Sequence, residues 1–183
     1  MDRSIGGVFL PVKGYCVSDT PLQILTKIKS YATPNYLMVA SSGQGGEIML
    51  FVDFDTIEGV LIDKPFNREL KIIMSSQTDA HIKNFTLILS TLAPDGGCTD
   101  FHSHDEGGEL MIFMSGQGKA WLEGKEYELK PGVALYAPPG KSHKTLNTGK
   151  DPLRIACVFI PAISTEYITA NISAAKKAAD SAK

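Results

Sequence analysis

The chain has 183 residues, 43% of them hydrophobic and 21% charged, which predicts a single globular domain with a sizeable core. Its net charge of −2 comes without a basic stripe, so nucleic acid is not an expected partner. The apolar runs are too short to span a membrane, and residues 1–7 lack the features of a signal peptide. The cytoplasm is the expected compartment, because the cysteines are three in number and widely spaced: Cys16, Cys98 and Cys157.

The first 67 residues predict one short helix and two strands. Asp19 or Thr20 is a suitable N-cap and Pro21 a suitable first helical residue, so a helix is expected from there to about Ser30. A loop rich in serine and glycine then separates two apolar runs. The expected order is a strand at Tyr36–Ala40, a loop at Ser41–Gly46 and a strand at Ile48–Phe54.

From Arg68 onward, short apolar runs alternate with turn residues, which favours an all-β sandwich, jelly roll or barrel. No helical pattern interrupts this region, so a parallel α/β sheet is not expected. Residues 163–183 are rich in alanine and lysine and predict a terminal helix. The predicted strands are Leu70–Met74, Phe85–Leu92, Leu110–Met114, Lys119–Leu122, Tyr127–Leu129, Ala134–Ala137 and Arg154–Ile160.

Three of the four histidines lie close together in sequence and suggest a metal site. His102 and His104 are separated by one residue, so on a strand both would point to the same face. Glu109 and His143 would complete a set of three imidazoles and one carboxylate, which suits a divalent transition metal. The alternative is a group of polar loop residues on the surface. His81 lies apart from this set and is expected in a solvated loop.

Residues near these four could form a pocket. In a strand that starts at Glu109, Met111 and Phe113 share the face of that carboxylate. They would either pack in the core or form an apolar wall beside the metal. Tyr136 could act as an acid, a base or an orienting donor, although strand alternation could equally aim it outward.

Two motifs in this region resemble those of the cupin superfamily. The first runs from Gly96 through His102, His104 and Glu109 to Gly116, and the second contains, in order, Gly132, Pro138, Gly140, His143 and Asn147. Fifteen residues separate the motifs, and the resemblance covers about residues 84–160.

The resemblance implies a double-stranded β-helix, that is, a jelly-roll barrel, over residues 68–162. Residues 1–67 would form an extension of strands and a short helix that packs on the barrel or swaps with a partner, and residues 163–183 a short helical tail. A homodimer is therefore expected. The resemblance also supports His102, His104, Glu109 and His143 as ligands of one divalent metal ion per chain: iron, manganese, nickel or zinc.

A small metal-dependent enzyme is the first functional hypothesis. It would act on a small oxygenated organic metabolite, as a dioxygenase, decarboxylase, isomerase or lyase, and Glu109 would supply negative charge to the metal. The alternative is a non-catalytic cupin that binds or senses a metabolite. The sequence does not choose the reaction, because one fold supports many reactions.

Overall fold

The computed structural model describes residues 31–33, 36–40 and 48–181. The chain divides into two compact units, the first ending at Phe51 and the second beginning at Val52. The helix predicted up to Ser30 and the loop predicted at Ser41–Gly46 lie outside the described residues. Within the described part, no helix has both the length and the apolar character needed to cross a membrane.

The first unit contains an antiparallel sheet of three short strands in the order β1-β2-β3: β1 (Tyr31–Thr33), β2 (Tyr36–Ala40) and β3 (Ile48–Phe51). β2 has the predicted bounds. β3 ends at Phe51, before the predicted end at Phe54, because a 3-10 turn at Phe54–Thr56 follows. The Asp53 side chain caps this turn by accepting a hydrogen bond of 3.0 Å from the Asp55 amide.

The second unit contains two antiparallel sheets followed by a helix. A six-stranded sheet has the order β10-β7-β12-β6-β5-β4, and a three-stranded sheet has the order β11-β8-β9. The strands are β4 (Val60–Ile62), β5 (Arg68–Met74), β6 (Thr86–Leu92), β7 (Gly108–Ser115), β8 (Gly118–Leu122), β9 (Lys125–Leu129), β10 (Ala134–Ala137), β11 (His143–Asn147) and β12 (Leu153–Ile160).

The hydrophobic core lies between these two sheets. Along β12, Leu153, Ile155, Cys157 and Phe159 are buried, while the residues between them are partly exposed. This period of two is what a strand with one covered face requires. The same core cluster includes residues of the smaller sheet, such as Ala120 and Leu129, so the two sheets enclose one core.

The helix α1 (Thr165–Ser181) packs its apolar residues against the barrel. Ser164 begins the helix as an N-cap, since its hydroxyl accepts a hydrogen bond of 3.1 Å from the Tyr167 amide. Ile168 belongs to the main core cluster, and Ala179 packs with Ile62 in a second cluster. Tertiary packing therefore stabilises a helix whose sequence alone would be marginal.

The predicted all-β jelly roll with a short C-terminal helix is confirmed, and three strands were missed. The short β1 precedes β2 in a stretch where no strand was expected. β4 is short, and its pairing with β5 places Val60–Ile62 in the six-stranded sheet. The second compact unit accordingly begins before residue 68, where the barrel was expected to start. In β11 the buried positions are polar (His143, Thr145 and Asn147), so a search for hydrophobic alternation passes over it.

Candidate metal centre

The four predicted ligands come from three neighbouring segments of the barrel. Glu109 is the second residue of β7, and His143 is the first residue of β11. His102 is held beside His143 by a β-bridge, in which each backbone amide donates to the other residue's carbonyl at 3.0 and 2.8 Å. The Gly140 amide donates to the His104 carbonyl at 2.9 Å. The turn before β11 therefore anchors the segment that carries the first two histidines.

The prediction that His102 and His104 lie on one regular strand is wrong. Only His102 forms a β-bridge, and the segment around both histidines is irregular. The cause is local hydrogen bonding by Asp100, whose carboxylate accepts from the Phe101 amide at 2.8 Å and whose carbonyl accepts from His102 Nδ1 at 2.8 Å. Such bonds compete with a regular strand ladder.

The side chains of His102, His104, Glu109 and His143 nevertheless converge. Their ligand atoms all lie within 4.8 Å of one another. His104, Glu109 and His143 are buried, and His102 is partly buried. Glu109 Oε2 is 2.9 Å from His143 Nε2 and 3.1 Å from His104 Nε2. One carboxylate oxygen therefore faces two imidazole nitrogens in the interior of the barrel.

Backbone carbonyls orient two of the imidazole rings. His102 Nδ1 contacts the Asp100 carbonyl at 2.8 Å, and His143 Nδ1 contacts the Lys141 carbonyl at 2.9 Å. A carbonyl can only accept, so each Nδ1 must carry the proton that it donates. In the neutral rings Nε2 then presents a lone pair to the cluster, which is the arrangement common for metal-binding histidines.

This arrangement fits a bound cation. The Nε2 lone pair of neutral His143 and Glu109 Oε2 are both acceptors at 2.9 Å, so a proton or a metal ion must lie between them. His104 Nε2 is buried without a hydrogen-bond partner, although the same oxygen is 3.1 Å away. A buried polar atom without a hydrogen bond is costly, and coordination to a metal would satisfy it.

The pKa values of three ligands reflect burial and their close approach. Burial and the charge of His143 lower the pKa of His102 from 6.5 to about 4. Burial alone would raise the pKa of Glu109, but the close approach of the His104 and His143 imidazoles holds it well below its usual range. Burial alone would lower the pKa of His143, whereas its hydrogen bond with Glu109 raises it. Glu109 is therefore an ionised carboxylate at neutral pH.

The cluster opens into a cavity of about 290 Å³ inside the barrel. Met111 lines this cavity, as one of its two predicted roles requires. Phe113 is fully buried in the core cluster and does not reach the cavity. Tyr136 is 49% exposed and pairs across the sheet with Leu110, the outward neighbour of Glu109. Because paired residues share a face, Tyr136 points away from the site, and we remove it from the candidate catalytic residues.

Sequence reasoning missed several residues of the cavity wall. Arg68 and Ser90 project from β5 and β6, and one face of α1 closes the cavity through Tyr167, Ile168 and Asn171. Arg68 could have been found from its spacing, because it lies two positions before Leu70 on the same strand and so shares its face of the sheet. The signal for the helix was apolar spacing at three and four residues.

Comparison with known proteins finds the same domain type. A family model described as a cupin domain matches residues 88–159, which include all four candidate ligands. An uncharacterized protein of Methanocaldococcus jannaschii is 33% identical over 79 residues, which cover 43% of this chain and 63% of that protein. A glucose-6-phosphate isomerase of Pyrococcus horikoshii is 30% identical over 74 residues, which cover 38% of this chain and 39% of the isomerase. The chain thus spans less than two thirds of the length of either curated relative.

A solved structure agrees with this at the level of the fold. The crystal structure of a predicted oxalate decarboxylase from Thermotoga maritima has a TM-score of 0.53 and 24% sequence identity. The match covers 61% of this chain and 98% of the other. The two proteins share a barrel, and the likeness carries no information on the reaction.

Proposed function

The chain belongs to the cupin superfamily, and from that premise we propose that it is a metal-dependent enzyme acting on a small oxygenated organic metabolite. The observation that carries the proposal is the convergence of His102, His104, Glu109 and His143 at one cavity of the barrel. A barrel that served only as a scaffold would not need this set, because burying a carboxylate against imidazoles is costly without a bound cation.

These four residues would hold one divalent ion per chain. Imidazole and carboxylate donors suit iron, manganese, nickel or zinc. The ion would supply Lewis acidity to a bound oxygen atom of the substrate or, if it is iron, reactivity toward dioxygen.

The remaining parts of the site position the ligands and exclude water. The Asp100 and Lys141 carbonyls fix the rings of His102 and His143. Met111 and the apolar face of α1 line the cavity with apolar side chains, which lower the local dielectric constant and strengthen electrostatic interactions there. Glu109 contributes the negative charge that a divalent cation requires.

Metal analysis of ligand variants tests the site. The parent should retain about one equivalent of transition metal, and His102→Ala and His143→Ala should lose most of it while remaining folded. His81→Ala is the matched control, since His81 is 67% exposed and lies outside the cluster, paired with Asp79. Equal metal content in all four proteins would overturn the assignment.

Turnover separates an enzyme from a metabolite sensor. The metal-loaded protein would be incubated with a panel of organic acids, enols and sugars while dioxygen uptake, carbon dioxide release and product formation are measured. Metal-dependent product formation that is lost in His143→Ala supports an enzyme and identifies its reaction class. Tight, metal-dependent binding without any product would favour the sensor instead.

We also propose that the protein forms a homodimer in the cytoplasm. The outer face of β7 and β10 exposes apolar side chains, with Ile112 at 41%, Met114 at 43% and Tyr136 at 49%. Such a face favours association. Sedimentation should show a dimer that Ile112→Lys dissociates, and a monomeric parent would contradict it.

Cys98 and Cys157 are free thiols, which agrees with the proposed reducing compartment, the cytoplasm.

A further inference from the structure

Three buried side-chain polar atoms in the described part of the chain lack a hydrogen-bond partner, and all three belong to residues that line the same cavity. They are His104 Nε2, Arg68 Nε and Ser90 Oγ. Buried polar groups are normally satisfied, so each exception calls for an explanation. The metal proposed above accounts for His104, and Arg68 and Ser90 remain.

Arg68 and Ser90 lie close together on the inner face of the six-stranded sheet. In the register of β5 and β6, Leu70 pairs with Ser90 and Arg68 pairs with Leu92. Arg68 and Ser90 are thus diagonal neighbours across two adjacent strands and share one face. Ser90 is only 4% exposed, so its hydroxyl has no access to bulk solvent.

The other polar residues of the cavity wall have partners of their own. The Thr99 hydroxyl accepts from the Thr145 amide at 2.8 Å. The Tyr167 hydroxyl donates to the Ser103 carbonyl at 3.3 Å, and the Asn171 amide donates to the Tyr167 carbonyl at 2.8 Å. The unmet hydrogen-bonding capacity is therefore localised at Arg68 and Ser90, apart from the metal cluster.

The charges around the cavity favour an anionic ligand. The charged wall residues other than histidine are Arg68, Glu109 and the exposed Asp100. A divalent ion bound at Glu109 would leave the interior with excess positive charge, because Arg68 adds to that of the metal. A cavity with largely apolar walls and that charge would bind an anion better than a neutral ligand.

From these observations we propose that the cavity binds a small carboxylic acid, with its carboxylate between Arg68 and Ser90 and a second oxygen group facing the metal cluster. The guanidinium presents donors in a planar fork that matches a carboxylate, and the serine hydroxyl adds a further donor. The position of the second group rests on the proposed metal site. The carboxylate subsite is a separate feature of β5 and β6.

The size and the walls of the cavity define the ligand further. A volume of about 290 Å³ lies at the lower end of the range of ligand pockets. The cavity wall also includes the apolar residues Leu70, Ile88 and Ile155. A sugar phosphate would bring several hydroxyl groups against these side chains without partners, which is unfavourable. A short organic acid with an apolar middle fits better.

Calorimetry with succinate, succinamide and inorganic phosphate tests this proposal on the zinc-loaded protein. Succinate should bind, and the neutral diamide should bind at least tenfold more weakly, because a charged hydrogen bond is replaced. Arg68→Met should weaken succinate binding by about tenfold to a hundredfold, and Ser90→Ala by severalfold. The matched control is Arg154→Met. Arg154 is a partly exposed arginine of β12 in the same sheet, and it forms an ion pair with Asp55.

Two readouts separate this inference from the proposed function and from a structural role of Arg68. Metal content should be unchanged in Arg68→Met. Its free energy of unfolding should equal or exceed that of the parent, because a partly buried charge with an unsatisfied Nε is removed. If Arg68→Met and Ser90→Ala both keep normal metal content and unchanged succinate affinity, the carboxylate subsite is overturned while the proposed function stands. Phosphate binding tighter than succinate binding would overturn the choice of a carboxylate, and loss of metal in the parent would overturn the proposed function. If Arg68→Met fails to fold, Ser90→Ala still decides the question.

Discussion

The low pKa of His102 predicts a pH-dependent loss of stability in the metal-free protein. Burial and the charge of His143 lower this pKa from 6.5 to about 4. Between these values the unfolded chain binds a proton at this residue and the folded protein does not, so stability falls as the pH falls. The shift corresponds to about 2 kcal/mol of stability lost between pH 7 and pH 5.

Urea unfolding of the metal-free parent and of His102→Gln measures this effect. The variant lacks the titrating ring, so its stability should fall by about 2 kcal/mol less than that of the parent over this pH range. His143 acts in the opposite direction, because a raised pKa contributes stability that is lost as the pH rises through it. Both proteins retain His143, so the difference between them reports the protonation of His102 together with its coupling to His143.

The control is His81→Gln, which removes an exposed imidazole outside the cluster and leaves His102 and its surroundings in place. Parallel curves for the parent and His102→Gln between pH 5 and pH 7 would refute the reasoning. They would mean that His102 is solvated in the folded state and that the cluster is not a dry site.

Three further substitutions test other parts of the structure. Asn147→Ala should lower the free energy of unfolding in urea by about 3 kcal/mol, because the buried side-chain amide donates to three backbone carbonyls and accepts from the Gly149 amide. A decrease below about 1 kcal/mol would contradict this. Phe113→Ala should lower the free energy of unfolding by about 3–5 kcal/mol, because it leaves a void in the core. Its metal stoichiometry should equal that of the parent, and loss of metal from a folded variant would place Phe113 at the site. Tyr136→Phe should leave metal-dependent turnover unchanged, since its hydroxyl lies on the outer face of the sheet, and a tenfold loss in kcat would return Tyr136 to the reaction.

The strands with apolar alternation could be predicted because one covered face leaves a period of two in the sequence. β10 was predicted with its observed bounds, and most other strands to within a few residues. β11 could not be found in this way, because its buried residues are the polar His143, Thr145 and Asn147. Their burial follows from tertiary bonds, such as those of Asn147 to the carbonyls of Leu92 and Ala93, which no local pattern encodes.

The convergence of the four ligands was predictable from their types and spacing, whereas the geometry that joins them was not. The sequence indicated a strand for His102 and His104, but the structure joins His102 to His143 by a single bridge in an irregular segment. A strand is therefore not needed to bring both imidazoles to one cavity.

The cavity wall could not be predicted, because its residues come from distant parts of the sequence. Arg68 and Tyr167 come from opposite ends of the second unit, and they line one cavity only because β5 and α1 both pack on the barrel. The alanine-rich tail looked like a marginal helix, since the partner that buries its apolar face is distant in sequence.

Anomalous X-ray diffraction from crystals of the metal-loaded protein tests the central claim most directly. We expect one strong peak per chain, within about 2.0–2.3 Å of an imidazole nitrogen of His102, His104 and His143 and of a carboxylate oxygen of Glu109. A peak at His81 and Asp79, or no peak in crystals soaked with zinc and manganese, would contradict the account.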